Sequence, residues 1–302
     1  MTTFEQVNRI RRRMEQLFDQ AIASANRGIR GGGLQVPFDG EARFALLTVN
    51  YSTTRYLKLM LLSLAEQKEL DRLQTVVICD NHSRDGGTTF LRKLACSARR
   101  VVLVENRWWT NHARGMRLAS LTLDRRDNSE QPSRKANILL ACDPDVVFLR
   151  DDTLSALAQV FSDGTASFAG QLRRHLFPLP EAQASFLAVR RDWASRKDVS
   201  PWVNHGSPAY WMQRDIWLRG GKGIDFPSNA SGYVLHRGRS AVAAAREHIP
   251  WSSYGTTQNR YPHYMGVPGG GEIWHAYEQK FSKWLTTEAE PALLGFLSQA
   301  LS

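Results

Sequence analysis

The chain has 302 residues, 42% hydrophobic and 23% charged, enough for one large domain or two small ones with a sizeable core, and ordinary for a soluble globular protein. No run approaches the length of a membrane span and the charged N-terminus lacks a signal-peptide core, so the expectation is a cytoplasmic protein. A net charge of +10, from 39 basic against 29 acidic residues, suits an anionic partner such as a nucleotide, nucleic acid or acidic membrane surface, but the basic residues come in scattered groups ("RIRRR", "ARR", "LRR", "VRR"), which argues against a specific nucleic-acid face. The three cysteines, Cys79, Cys96 and Cys142, lack metal-ligand spacing and read as reduced thiols of a cytosolic protein.

Residues 3 to about 27 carry Phe4, Val7, Ile10, Met14, Leu17, Phe18 and Ile22 at spacings of three and four, which predicts an amphipathic helix. That helix can pack on the domain that follows, or lie on the inner face of an anionic membrane as a peripheral contact. "RGGGLQVP" breaks the pattern as a linker. From residue 43 the texture alternates. "RFALLTVNY", "LQTVVICD", "RVVLVEN" and "KANILLACDPDVVF" read as four strands. "TTRYLKLMLLSLAEQ", "GGTTFLRKLACSA" and "TNHARGMRLASLTL" read as the helices between them. Alternation of this kind predicts an α/β fold, a Rossmann-like, mostly parallel sheet flanked by helices.

Beyond residue 150 the sequence is less regular. "DDTLSALAQVF" predicts a helix, "ASFLAVRRDW" a strand running into a helix, and "SPAYWMQRDIWLRG" another helix. "IDFPSNASGYVLHRGRS" suggests a strand and a polar loop. The Gly-rich stretch 256–275 suits a lid or a surface loop, with His263 and His275 as lid members or ordinary surface histidines. "EIWHAYEQKFSKWL" closes with helical period. The expected organisation is therefore an N-terminal helix and linker over 1–38, a main domain over 39–265, and a C-terminal helical extension over 266–302. The main domain divides into a nucleotide-binding half (39–150) and an acceptor half (151–265).

In open parallel sheets the polar residues at strand C-termini converge on the binding crevice. Here those residues are Asn50, Asp80, Asn106 and the pair Asp143 and Asp145. Two carboxylates bracketed by "NILLAC" and "VVF" are costly to bury unless neutralised. An isolated DXD is most often an exposed acidic turn, but at the end of a fourth alternating strand it suits a divalent cation that also binds phosphate. Asp80 can accept a hydrogen bond from a base or ribose. Ser83 and Asp85 beside it suit a turn or a helix cap.

The segments "LLTVNYSTTRYLKLMLLSL", "TVVICDNHSRDGG", "VVLVENRWWTNHARGMRLA" and "ILLACDPDVVFLRDD" together resemble a family 2 glycosyltransferase of the GT-A fold, over roughly residues 43–240. The resemblance implies a hexosyltransferase-type enzyme that moves a sugar from a nucleoside-diphosphate sugar, UDP-linked, with Mn²⁺ or Mg²⁺ and with inversion. It implies that Thr48, Asn50 and Tyr51 line the nucleotide pocket, that Asp80 binds the base, and that Arg114 lies near the nucleotide. Asp143 would contact ribose or metal, Asp145 the metal, and His236 would be a third metal ligand or phosphate contact. Arg237, Arg239 and Ser240 would meet the diphosphate. The acceptor is open among glycan, lipid, peptide and small molecule.

The family's usual acidic base just before "SPAYWMQRDIW" is replaced here by "KDVSPWVNHG", which leaves His205, slightly ahead of Asp198, as the base. Trp108 and Trp109 are the aromatic candidates for the sugar, while Trp211 and Trp217 fit a helical core pattern. A nucleotide-sugar-binding protein that lost its base is the alternative. A nucleotidyltransferase would need a Gly-rich basic loop where this chain has "NYSTTRYLK".

Overall fold

The computed structural model describes residues 33–108, 111–174, 179–203, 208–238, 240 and 267–302, together with Met14, Leu17, Phe18 and Ala21. Four strands form a parallel core: β1 (Phe44–Asn50), β2 (Leu73–Asp80), β3 (Val101–Glu105) and β4 (Ile138–Cys142). Each residue of β1 is buried, as a central strand covered on both faces requires, and its near-continuous apolar sequence reflects that. The connecting helices α1 (Thr54–Ala65), α2 (Thr88–Ser97) and α3 (His112–Asp127) provide the cover. Helix α3 approaches β1 closely because Gly115 has no side chain; a Cβ there would lie 2.8 Å from the Val49 methyls.

After β4 come a short strand β5 (Val146–Phe148) and helix α4 (Thr153–Phe161), then β6 (Ala166–Arg173), β7 (Glu181–Arg190) and the single turn α5 (Arg191–Ala194). Helix α6 (Tyr210–Leu218) and strands β8 (Lys222–Asp225) and β9 (Val234–His236) follow. The main sheet runs β3-β2-β1-β4-β7-β6-β8. Strand β7 is antiparallel to both β4 and β6, while β8 is parallel to β6. The fold is thus the mixed α/β, mostly parallel sheet that the alternation predicts.

Two departures from the sequence reading are informative. The run "KANILLACDPDVVF" is two strands, because the chain turns at Asp143–Pro144 and β5 leaves the main sheet to pair with β9. Strand β6, "ASFAGQLR", has no counterpart in the sequence reading. Its alanines, serine and glycine carry little strand propensity, and Gly170 is required by close contact, since a Cβ there would lie 2.7 Å from that of Ala182.

The last helices, α7 (Gly270–Phe281) and α8 (Glu290–Ala300), join the main core. Trp274, Phe281, Leu293, Leu297 and Leu301 belong to the same apolar cluster as Phe44, Leu46 and Tyr56. A second cluster on the other face of the sheet holds Val49, Met116, Ala182, Ala184 and Met212. Of the N-terminal segment, Met14, Leu17, Phe18 and Ala21 are helical and exposed; the rest of the helix expected over 3–27 lies outside the described residues. Among the described residues, no helix is long and apolar enough to cross a membrane.

Candidate metal and nucleotide site

The turn after β4 is fixed from both sides. Asp143 N–H donates to Ser185 O of β7 at 2.9 Å, and Val146 N–H donates back to Asp143 O at 3.2 Å. Pairing of β5 with β9 sets Val146 opposite His236, and Arg237 N–H donates to Asp145 O at 3.0 Å. His236 N–H is held by Asn229 Oδ1 at 2.9 Å. As a result Asp143, Asp145 and His236 each present a ligand atom within 4.8 Å of the others, and this is the one such metal-competent group among the described residues. His236 Nε2 lies 3.4 Å from Asp143 Oδ2 and 3.3 Å from Asp145 Oδ1.

The two carboxylates of the cluster differ in their electrostatics. Burial raises Asp143 above the usual carboxylate range; His112 and His236 oppose that shift and Asp145 adds to it. Burial would raise Asp145 too, but His236, Ser240 and Arg237 outweigh it and hold its carboxyl well below the usual range. Burial disfavours charge on His236, yet the two aspartates raise its pKa overall. Asp145 Oδ2 and His236 Nδ1 are buried without a hydrogen-bond partner. Leaving such atoms unsatisfied costs about 1–3 kcal/mol each. Two carboxylates and one imidazole at these separations could hold a divalent cation.

His112 is a member of this environment that the sequence reading missed. It is the first residue of α3, whose N-cap Asn111 accepts from Arg114 N–H at 2.8 Å. Its Nε2 lies 3.7 Å from Asp143 Oδ1. The only sequence signal was a capping Asn after the third strand followed by a side chain able to carry charge.

At the ends of β1 and β2 the loops interlock. Asn50 Nδ2 faces Thr54 Oγ1, Asp80 Oδ1 and Ser83 Oγ, each at 3.0 Å. Asn50 Oδ1 accepts from Thr53 Oγ1–H at 2.9 Å. Asp80 also accepts from the Ser83 hydroxyl and, at 2.8 Å, from Thr88 Oγ1–H. Ser52 and His82 adopt left-handed backbone (φ 54° and 59°), a conformation costing roughly 1–2 kcal/mol for a residue with a Cβ. The cross-loop bonds Ser52 N–H to Ser83 Oγ (2.8 Å) and Arg84 N–H to Ser52 Oγ (2.9 Å) hold it. Asn106 Nδ2 continues the network to Asn81 Oδ1 at 2.7 Å.

The remaining predicted residues fall as follows. Tyr51 is half-buried at the mouth of β1 and Arg114 half-buried in the first turn of α3. Arg237 is buried, its guanidinium 5.0 Å from the Tyr56 ring centroid, and Ser240 is buried beside Asp145. Trp108 is 79% exposed. Trp109, His205, Arg239, His263 and the stretch 256–266 lie outside the described residues; His275 is on the exposed face of α7, 3.0 Å from Gln279. Thr48 is fully buried two residues short of the strand end, inside the sheet.

Asp198 stands apart from these residues. Antiparallel β7 ends at Arg190, opposite Ile138 at the start of β4, so the chain reaches Asp198 at the edge of the sheet opposite Asp143. There it is clasped by Arg196 at 2.9 Å and Arg219 at 2.7 Å. Those guanidinium contacts, Arg196 foremost, hold its carboxyl well below the usual range. Its position and its weak basicity both speak against a role as base.

Comparisons with known proteins found no matching family model and no matching curated protein. Among solved structures the chain is similar in shape to the mannosyltransferase PcManGT from Pyrobaculum calidifontis, in complex with GDP-Man and Mn²⁺. Identity is 17% over 96% of this chain and 84% of that one, with a TM-score of 0.46. It is also similar to S. aureus TarS 1-349 in complex with UDP-GlcNAc, at 13% identity over 86% of this chain and 82% of that one, with a TM-score of 0.48.

Proposed function

We propose that this chain is a metal-dependent, inverting glycosyltransferase that uses a UDP-linked sugar. The observation that carries the reading is the cluster of half-buried Asp143 with buried Asp145 and His236, with its orphaned oxygen and nitrogen, at the C-terminal edge of the parallel strands. Two carboxylates and one imidazole suit Mn²⁺ as a donor set; Mg²⁺ prefers oxygen alone. When bound there, such an ion supplies charge neutralisation for a diphosphate leaving group.

The chain's own residues do the rest. Arg237 and Ser240 stand beside Asp145, where a diphosphate oxygen would meet a cation and a hydroxyl donor. Tyr51 and Arg114, half-buried at the end of β1 and in the first turn of α3, are the further candidates for contact with the nucleotide. Asp80 accepts three hydrogen bonds from within the protein, which leaves it about one of the roughly four acceptor positions of a carboxylate. One remaining acceptor suits the single ring N–H of uracil better than the several donors of guanine. Exposed Trp108 offers a stacking face to the sugar.

His205 is the proposed base, in the segment that leads into α6 and whose two flanks are tied by Val203 N–H to Pro208 O at 2.9 Å. The exposed row Met14, Leu17 and Phe18 beside Arg11, Arg12 and Arg13 suits peripheral contact with an anionic membrane face. The testing experiment is thermal denaturation against a panel of nucleotide sugars with and without Mn²⁺, since a ligand that binds the native state raises apparent stability by mass action. The reading expects stabilisation by a UDP-sugar only with the metal, together with UDP release on adding acceptor. Equal stabilisation without metal would overturn it.

A further inference from the structure

Strands β6 and β7 run beyond the edge that carries Asp143, and their ends hold a polar group the foregoing reading does not use. Arg173 and Glu181 are register partners and form a salt bridge across the two strands. The Glu181 side chain is 1% exposed, and burial lowers the Arg173 guanidinium pKa. A paired, buried carboxylate normally has its remaining lone pairs occupied. Here Glu181 Oε2, Arg173 Nε and Gln183 Oε1 are all buried without a hydrogen-bond partner.

These three atoms share a direction. Ala182 and Ala184 both pack into the cluster on the α3 and α6 face of the sheet, so by strand alternation Glu181 and Gln183 point to the opposite face. That is the face on which the β5–β9 ribbon lies, with Val146, Val147, Val234 and Leu235 in its core cluster. It is the ribbon that carries Asp145 and His236. Gln183 and Arg173 are only half-buried, so their side chains are open to solvent at the outer end although the three unpartnered atoms are themselves covered.

We infer that Arg173, Glu181 and Gln183 form a subsite for a carbohydrate acceptor, resting on the glycosyltransferase reading of the neighbouring cluster. Two unfilled acceptors need ligand O–H donors, and the guanidinium N–H needs a ligand oxygen. A polyhydroxylated ring presents both kinds of group within a few ångströms; an acyl chain presents neither. Position decides between binding and catalysis. Ser185 O receives the Asp143 N–H, and Glu181 lies four residues further along β7, beyond the irregularity at which Gly170 pairs with Leu187 but Leu172 with Ala182. That offset sets Glu181 apart from the turn that carries Asp143, whereas a base must sit within about 3 Å of the reacting hydroxyl. It leaves room for an acceptor ring anchored at its far side.

The test is ligand-observed saturation-transfer NMR on the full chain with a panel of methyl glycosides, alone and with Mn²⁺ and UDP-sugar, for the wild type, E181Q and Q183L. At least one glycoside is expected to bind the wild type. Each variant should weaken it about ten-fold or more, the ordinary effect of removing one partner from a site built to hydrogen-bond hydroxyls. Thermal stabilisation by UDP-sugar and Mn²⁺ should stay unchanged. Q183L, altering a half-buried neutral side chain, keeps the test valid if E181Q fails to fold. No glycoside binding to the wild type in either condition, or binding indifferent to Q183L and to a folded E181Q, would overturn the subsite. Loss of the donor effect with glycoside binding intact would strike the glycosyltransferase reading instead.

Discussion

Replacing Asp145 by Asn changes one atom type in a buried cluster and separates the metal role from the structural one. Asp145 Oδ1 lies 3.3 Å from His236 Nε2, so their attraction at an effective dielectric of 20 has a ceiling of about 5 kcal/mol. The folded protein does not lose that amount. Against the effect of burial the two aspartates raise the pKa of His236, and in D145N it can release its proton instead of staying charged without its closest partner. A net destabilisation of about 1–2 kcal/mol is expected. The metal has no such escape. It loses one of two anionic ligands, where disturbing even an outer-shell partner costs 10–100-fold, so affinity should fall by at least about 100-fold, or about 2.7 kcal/mol. Calorimetric titration of Mn²⁺ in the presence of UDP reads the affinity, and thermal melting without metal reads the fold. A D145N protein that melts near the wild type and binds Mn²⁺ equally well would refute the assignment.

Proton competition should mark the same cluster. His236 must be neutral to ligate, so Mn²⁺ affinity should fall about ten-fold per pH unit below the raised pKa of His236 and level off above it, as a titration at several pH values would show. In the metal-free protein the stabilisation from charged His236 is fully present below the ordinary imidazole value of 6.5 and is lost as pH rises through the raised one. Asp145, whose pKa is lowered, contributes above the ordinary carboxylate value and loses that contribution as pH falls. Melting curves against pH should therefore weaken at both ends without metal. Asp198→Asn should leave transfer within about two-fold of wild type, since its partners lie at the opposite edge; a collapse in turnover would restore it as base. Arg191, buried against Asp127 and 2.6 Å from Asp124, ties α3 to the end of β7, and Arg191→Ala should cost about 3–5 kcal/mol in urea unfolding.

The parallel strands and the polar residues at their ends were legible in the sequence because their signals are local. Each parallel strand is an apolar run ending in or followed by a polar residue, and Asn50, Asp80, Asn106 and Asp143 stand at one edge of the sheet. His236 came from the resemblance alone, since only β5–β9 pairing places it against Asp145. His112 escaped notice because its proximity to Asp143 depends on the angle at which α3 leaves β3. Asp198 shows the reverse problem. Its place before α6 in the chain suggested the site, but the direction of β7 is not written in its residues, and an antiparallel strand carried it to the wrong edge. Strand β6 was hidden by small residues selected for close packing against β7. The Arg173–Glu181 pair depends on the register of those two strands, which no period in the sequence records.

The most direct measurement is an anomalous difference map from crystals soaked with Mn²⁺ and a UDP-sugar. The account predicts one strong peak bounded by Asp143, Asp145 and His236, with diphosphate density reaching toward Arg237 and Ser240. A peak elsewhere, or nucleotide density with no metal at that cluster, would contradict it.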